Sequence, residues 1–178
     1  MVDPPADDTR TDYPADGDLS DRSTLLTMLD YTRKTAWMKC EGISDEDARR
    51  APVPTSPLMT VSGIVSHLRW VEWSWIQRRF LGVEDVGPWT DDENDPDREF
   101  HFRLDWPLAD VVEDYREMAR EHDELIAGLD LDKTGVHTMR DGKPLTMRWI
   151  VHHLVEENAR HNGHIDIVRE LVDGSTGD

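Results

Sequence analysis

Residues 150–170 read IVHHLVEENARHNGHIDIVRE and place charged and imidazole side chains where a helix normally buries apolar ones. On an α-helix, at about 100° per residue, three imidazoles and a carboxylate share one stripe: His153, Glu157, His161 and His164. Apolar side chains fall on the same side of that helix: Ile150, Val168 and Leu171. Burying the polar groups without partners would cost several kcal/mol. A divalent metal ion bound by the carboxylate and by imidazole nitrogens is one remedy.

The spacing of two stripe residues suits one metal ion. Glu157 and His161 are one helical turn apart, so their side chains reach the same point beside the helix. His67, on a different predicted helix, offers a third ligand of the kind that catalytic zinc sites use, with water in the fourth position. The alternative is a cluster of hydrogen-bonded core histidines. His153 and His164 stay open between metal ligand, outer partner of a ligand and proton carrier, and they are the candidate catalytic residues.

Composition limits the number of domains and the class of partner. A chain of 178 residues, 37% of them hydrophobic, can bury one substantial core, which predicts one domain. The formal net charge of −18 leaves no basic surplus for binding nucleic acid or an anionic membrane. The single cysteine, Cys40, excludes an intrachain disulfide and favours a reducing, cytoplasmic setting. We expect neither a signal peptide nor a membrane span, since no stretch approaches roughly 20 apolar residues.

Capping residues and apolar periods predict an all-α fold, a four-helix bundle with long connections in residues 19–174. The acidic, Pro-containing leader (residues 1–18) and the tail (residues 175–178) are expected to be flexible. The four helices are expected at Ser20 or Ser23 to about Cys40, Thr60 to Gly82, Trp106 to about Leu129, and Thr146 to Gly174. Smaller features are a helical turn at residues 44–47, an extended connection enforced by Pro52, Pro54 and Pro57, and a hairpin at residues 139–143.

The acidic connection at residues 82–105 is longer than ordinary connections, and such loops cover a site or move. We expect it to roof a cleft at the metal site. The charge runs at residues 91–99 and 113–124 are interpreted as solvated faces. The remaining features have structural interpretations: His101, His122 and His137 at the surface or at caps, His152 peripheral, Cys40 without a nucleophilic role, and Trp37, Trp70, Trp75 and Trp149 in the core or an interface.

Two segments together resemble the DinB/YfiT superfamily, in its mini-circle-type, largely actinobacterial branch. They are residues 60–72, TVSGIVSHLRWVE, and residues 144–170, in which PLTMRWI is followed after one residue by HHLVEENARHNGHIDIVRE. The resemblance covers about residues 19–173, and its most specific part is the last helix. It implies a four-helix bundle, often dimeric, that commonly holds a divalent metal by one His of the second helix and an H-x-x-x-H pair of the last.

Matched residue by residue, the ligands of the superfamily correspond to His67 and His161, with Glu157 at the first position of the pair. That carboxylate departs from the three-histidine form and is similar to the His, Glu, His set of mycothiol-dependent maleylpyruvate isomerase, a distant member whose metal is zinc. The resemblance therefore implies zinc at these three residues, with nickel or manganese as alternatives. His164 stands where many relatives have Gln, so no ligand role is carried onto it.

Three functions are compatible with such a site. The first, implied by the resemblance, is a metal-dependent enzyme that uses mycothiol as cosubstrate, either an S-transferase or an isomerase. The second is a hydrolase that works through zinc hydroxide, with His153 or His164 handling protons. The third is a non-catalytic, stress-associated metal-binding dimer. We expect a homodimer, because Trp-rich helices leave an apolar face that a second copy would cover, and a small molecule as substrate of either enzyme.

Overall fold

The computed structural model describes residues 10–90 and 94–177 of the chain. Its regular structure is mainly α-helical, with one small antiparallel hairpin. The elements in chain order are α1 (Asp21–Met38), α2 (Asp45–Ala48), α3 (Val61–Trp73), a π-helical segment (Ser74–Phe80), two 3-10 turns (Pro88–Thr90 and Arg98–Phe100), α4 (Leu108–Ala127), β1 (Thr134–Thr138), β2 (Pro144–Thr146) and α5 (Met147–Val172).

Four helices begin at the capping residues that the sequence predicted. Ser20, Ser44, Thr60 and Thr146 each lie in extended backbone, and each side-chain oxygen accepts a hydrogen bond from the backbone N–H three residues ahead. Such a bond satisfies one of the N–H groups that have no partner within the first helical turn. Because Thr60 and Thr146 fix where α3 and α5 start, they also fix which residues of these helices face each other.

The helices that carry the candidate ligands share a core. α5 packs against α1 and α3, and α3 also packs against α4. One buried apolar cluster joins α3, α4 and α5, and its members include Ile64, Leu68, Val112, Tyr115 and Ile165. A second cluster joins α1 to α5, through residues that include Leu25, Leu29, Ile150 and Leu154. Leu171 departs from the predicted apolar side of α5, since its side chain is 57% exposed. Of the helices in the described parts of the chain, none is long and apolar enough to cross a membrane.

The second long helix departs from the prediction of one continuous α-helix between Thr60 and Gly82. Its last turns are π-helical, and Leu81 donates its backbone N–H to the carbonyl of Ile76, five residues back, at 3.0 Å. The wider turn brings the Gln77 amide nitrogen within 3.0 Å of Nε2 of the buried His122. The apolar period of the sequence does not predict these π-helical turns. A π-helical turn inserts one residue into a helix whose composition still indicates an α-helix, and contacts with distant residues stabilise it.

The predicted hairpin is confirmed. β1 and β2 are antiparallel, and Met139 donates its backbone N–H to the Lys143 carbonyl at 2.9 Å across the turn. Gly135 lets this hairpin approach the π-helical segment, because a side chain there would meet Cα of Phe80 at 2.7 Å. The hairpin leads directly into α5 at Thr146 and so anchors the start of the helix that carries the polar stripe.

The proline-containing connection before α3 departs from the predicted extended chain. The segment around Pro52, Pro54 and Pro57 is not fully extended, since Ser56 and Met59 donate backbone hydrogen bonds to carbonyls three residues back. Proline fixes only its own φ and restricts the residue before it, so turns remain available.

Residues 1–9 of the predicted leader and residue 178 of the predicted tail lie outside the described residues. The flexibility of both termini stays a prediction.

Candidate functional site

Three residues singled out from the sequence converge between α3 and α5. His67, Glu157 and His161 each offer one ligand atom, and these atoms all lie within 4.8 Å of one another. Oε2 of Glu157 is 3.8 Å from Nε2 of His67 and 3.5 Å from Nε2 of His161. Ligand atoms that each lie about 2 Å from a tetrahedral ion are roughly 3–4 Å from one another. The arrangement therefore matches three corners of a single metal centre, and these three residues are called the triad below.

Capped helix starts place the triad. His67 lies seven residues after the cap of α3, and His153 lies seven residues after the cap of α5. Glu157 follows His153 by one turn and His161 follows by another, so α5 presents them in a row along α3. Glu157 and His161 are 9% and 8% exposed, so protein atoms cover most of their surface. A buried carboxylate beside two imidazoles needs a countercharge, which a metal ion or a proton supplies.

Glu99 is a fourth residue of the candidate site, and the sequence did not point to it, because it falls in a run interpreted as a solvated acidic face. Its Oε1 lies 3.2 Å from Nδ1 of His67, and both side chains are largely buried. In the neutral imidazole, a proton on Nδ1 that is donated to Glu99 leaves the lone pair of Nε2 directed toward Glu157 and His161. Metal-binding histidines usually have a carboxylate or carbonyl partner of this kind, which fixes the tautomer and the ring plane. The other oxygen, Oε2 of Glu99, is buried without a hydrogen-bond partner among the described residues.

The backbone around Glu99 is fixed on α3 by two small residues. The Ser66 hydroxyl donates to the Glu99 carbonyl at 2.6 Å. Gly63 permits the close approach, because a Cβ at this position would lie 2.5 Å from the Phe100 carbonyl oxygen. The Phe100 ring then stacks on the His67 imidazole, with 4.2 Å between ring centroids and 13° between planes. Part of the long connection thus covers the triad, as predicted, although residues 91–93 lie outside the described residues.

The charges of the triad depend on one another. Burial alone would raise the pKa of Glu157, but the neighbouring imidazoles of His161 and His67 and the charge of Arg160 outweigh it and hold that pKa far below its usual range. Burial would lower the pKa of His67, but the nearby Glu157 carboxylate and the hydrogen-bonded Glu99 carboxylate raise it. Arg160 also contacts Oε1 of Glu157 at 2.5 Å, on the side away from His67. Glu157 is therefore ionised near neutral pH, which is the form that binds a cation.

The two candidate catalytic histidines flank the triad along α5 and do not belong to it. His153 contacts the rings of both Trp75 and Trp149, with Nε2 3.6 Å from Oε1 of Glu157, and burial lowers its pKa. Nδ1 of His164 lies 3.3 Å from Nδ1 of His161. Burial and the neighbouring charges of His161 and Arg160 lower the pKa of His164. A second acidic group, His153 with Glu156 and Glu157, is more exposed, and Arg160 bonds to both of its carboxylates.

A buried polar network lies beside α5, and no pattern in the sequence predicts it. Arg33 binds both oxygens of Glu72 through Nε at 2.9 Å and NH2 at 2.6 Å, and the Tyr115 hydroxyl and His122 Nδ1 also contact this carboxylate. His122 is thus fully buried, which corrects its predicted surface or capping role. Tyr115 also bonds to Asn158, the residue after Glu157, at 3.3 Å. The network braces α5 directly beside the triad.

The other residues considered in the sequence have structural positions outside the triad. Cys40 is buried, and burial raises the pKa of its thiol to about 12, so it is not a nucleophile near neutral pH. His101 bonds to Asp95 at the surface, and Nδ1 of His152 lies 2.9 Å from the Arg148 carbonyl on the exposed side of α5. Trp70 is buried, while Trp149 is 38% exposed. None of these side chains reaches the triad.

Comparison with known proteins assigns the chain to a family. The sequence matches the family described as mycothiol-S-transferase over residues 24–174, which spans the helices from within α1 to the end of α5. No curated protein matches the chain in a direct sequence comparison. The match includes all three residues of the triad and Glu99, and it covers most of the 178 residues. It relates the chain to thiol-dependent enzymes that use mycothiol, and the chain belongs to the mycothiol-S-transferase family.

Proposed function

We propose that this protein is a metal-dependent mycothiol S-transferase in which His67, Glu157 and His161 bind one divalent ion, with zinc favoured over nickel or manganese. The observation that carries the proposal is the convergence of two imidazole nitrogens and an ionised carboxylate within 4.8 Å, in a chain of a mycothiol-using family. Imidazole and carboxylate ligands suit all three metals, and zinc is the most common with this donor set in catalytic sites.

The residues present fit such an ion. Three protein ligands leave one position open, which is the pattern of catalytic rather than structural zinc. Glu99 holds His67 in the tautomer that a ligand needs, and its own second oxygen is buried without a partner among the described residues. When bound, a divalent ion would lower the pKa of a coordinated thiol and so favour the thiolate near neutral pH.

Each protein group has a distinct role in this proposal. Glu99 orients His67, and the positive charge of Arg160 neutralises the negative charge on Oε1 of Glu157. His153 and His164 have lowered pKa values, so neutral imidazoles on either side of the triad are available to accept a proton from an approaching thiol. The Trp75 and Trp149 rings beside His153 limit water on that side.

The wider arrangement is part of the same proposal. We infer that α1, α3, α4 and α5 form the four-helix bundle that the sequence predicted, and the packing of α5 on α1 and α3 and of α3 on α4 supports it. The protein is expected to work in the cytoplasm as a homodimer on a small molecule, without nucleic acid or membrane.

Metal content tests the site. Protein purified without metal-affinity steps should carry close to one zinc, nickel or manganese ion per chain by element analysis, and His161→Ala should lose it. His152→Ala is the matched control, because this histidine lies on the same helix and faces solvent. Full metal occupancy in a variant lacking all three triad side chains would contradict the proposal.

Thiol dependence tests the reaction. The metal-loaded protein should accelerate loss of the mycothiol thiol in the presence of an organic electrophile, and a chelator should abolish the acceleration until zinc is restored. Water-dependent cleavage of an amide without mycothiol would favour the hydrolase instead. Stoichiometric metal with neither activity would favour the non-catalytic dimer.

A further inference from the structure

A cleft of about 370 Å³ opens beside the triad, on the side of His161 and His164. Its wall is largely apolar and comes from the connection before α3, from α3 itself and from the long connection, through Pro57, Leu58, Met59, Ile64 and Phe100. Concave sites of a few hundred Å³ with apolar walls and a few polar groups are typical of small-molecule binding. The cleft is therefore large enough for a compact organic group.

The cleft and the triad share walls. His161 belongs to both, and Phe100 lines the cleft while its ring stacks on His67. Ile64 is 1% exposed and forms part of the apolar wall one turn before His67 on α3. A molecule bound in the cleft would thus lie against His161, one of the three proposed ligands, and against the Phe100 ring that stacks on His67.

The charge of the wall selects among possible occupants. Apart from the two imidazoles, none of the described residues that line the cleft is ionisable. The nearby Arg160 is already bonded to Glu156 at 2.9 Å and Glu157 at 2.5 Å. A carboxylate held against the apolar wall, away from the triad, would lose its hydration without gaining a cationic side chain, and a sugar would lose hydrogen bonds that this wall cannot replace. A neutral, apolar group fits best.

We propose that this cleft binds the apolar portion of a neutral organic electrophile, the molecule that accepts the sulfur of mycothiol. The inference rests on the proposed transferase function and names the class of its second substrate. In the reaction, a bond forms between the thiol sulfur and the electrophilic carbon while the bond from that carbon to its leaving group breaks. The leaving group takes the electron pair, and the thiol proton passes to a base or to water. The sugar portion of mycothiol lies outside the cleft.

Binding can be tested without turnover. Benzyl alcohol, which has no leaving group, should shift the methyl signal of 13C-labelled Met59 saturably in the NMR spectrum of the metal-loaded protein. Leu58→Trp and Thr55→Trp would each fill the cleft and abolish the saturable shift. Thr55 is exposed, so its substitution does not threaten the core. Ala51→Trp, in the same connection but outside the cleft, should bind like the original protein. Unchanged binding in both cleft-filling variants would overturn the proposal.

Kinetics then separate the two substrates. With benzyl chloride as acceptor and the uncatalysed rate subtracted, both cleft-filling variants should raise KM for the acceptor about tenfold or more, while KM for mycothiol stays within about twofold. Chloromethylbenzoate, which carries a carboxylate on the same ring, should be a correspondingly poorer acceptor. Element analysis of each variant should show that its metal is retained.

The outcomes distinguish this inference from the proposed function. A raised KM for mycothiol with an unchanged KM for benzyl chloride would overturn the inference and leave the transferase intact. Equal use of benzyl chloride and its carboxylate counterpart would overturn the selection of neutral acceptors. Saturable benzyl alcohol binding with no transfer to any acceptor would reject the transferase, and the acceptor role of the cleft with it.

Discussion

At the scale of single residues, the pair of His67 and Glu99 decides how well the triad is organised. An imidazole has two nitrogens, and the hydrogen bond of one determines which lone pair is offered to a metal. The bond from Nδ1 of His67 to Glu99 directs Nε2 toward Glu157 and His161. The sequence could supply the three triad residues, because helical spacing and resemblance both point to them. It could not supply Glu99, since only the fold brings this acidic connection onto α3.

Glu99→Gln should weaken zinc binding by about 10- to 100-fold, the range measured for outer partners of metal ligands. The amide keeps the size of the side chain but removes the charge that stabilises the Nδ1–H form of His67. Competition with a chromophoric chelator measures the affinity. Asp97→Asn, an exposed carboxylate in the same segment, should leave it unchanged. Equal affinities of Glu99→Gln and the original protein would show that Glu99 does not orient a ligand.

Glu72 should make stability depend on acid. Burial alone would raise its pKa, but the Arg33 charge and the His122 bond lower it to about 2 from the usual 4.5. The folded protein therefore binds fewer protons at this group than the unfolded chain, so the stabilisation is complete above pH 4.5 and is lost as the pH falls toward 2.

Between these pH values, the free energy of unfolding measured with a chelator present should fall by on the order of 3 kcal/mol more in the original protein than in Glu72→Gln. At neutral pH, Glu72→Gln should be less stable by about 3–5 kcal/mol, because Arg33 loses its buried charged partner and keeps only the half-exposed Asp123. Parallel pH profiles of the two proteins would contradict this role.

At the scale of elements, the sequence predicts the features that residues close in the chain determine. It does not predict the features that depend on residues far apart in the chain. The capped starts of α3 and α5 depend on Thr60, Thr146 and the residues directly after them, and both were predicted. The π-helical end of the second long helix contacts His122 of α4 through Gln77, far away in the sequence. Its buried position depends in turn on Glu72 and Arg33, so no local pattern marks it.

Gly63→Ala should disturb the site by displacing the segment that covers the triad, while all three proposed ligands remain in place. The added Cβ would lie 2.5 Å from the Phe100 carbonyl and 2.8 Å from the Thr60 hydroxyl, so the segment that carries Glu99 must move away from α3. We expect a loss of about 1–3 kcal/mol in stability together with weaker zinc binding. Calorimetric unfolding and chelator competition measure the two effects.

Gly163→Ala is the control for Gly63→Ala, because a Cβ at residue 163 meets nothing within 4 Å. This exposed helical position should gain about 0.5–1 kcal/mol from the better helix former. A stabilised Gly63→Ala variant with normal metal affinity would mean that the covering segment can shift without consequence for His67.

At the scale of the whole molecule, the homodimer expected from the sequence needs an apolar surface. Several exposed apolar side chains lie where the hairpin meets the π-helical end of the second long helix, and Leu81, Val83 and Val136 are 40%, 44% and 69% exposed. A Cβ on Gly82, the residue between Leu81 and Val83, would lie 3.1 Å from the Val136 side chain, so the hairpin comes close to this part of the chain. Contiguous apolar patches of this kind are typical of interaction sites, whereas single exposed apolar residues are common.

We therefore predict a dimer that associates through the patch of Leu81, Val83 and Val136. Light scattering at micromolar concentration should give twice the chain mass of 20.5 kDa, and Val136→Asp should return the mass to that of one chain. A buried carboxylate facing its symmetry mate in a two-fold interface would be strongly unfavourable.

Ile167→Asp is the matched control, because Ile167 is 51% exposed on α5, away from the hairpin. A monomeric original protein would refute the dimer. Dissociation by Ile167→Asp but not by Val136→Asp would move the interface to α5, the helix that carries Glu157 and His161, because an interface shared by identical chains must use the same surface on both.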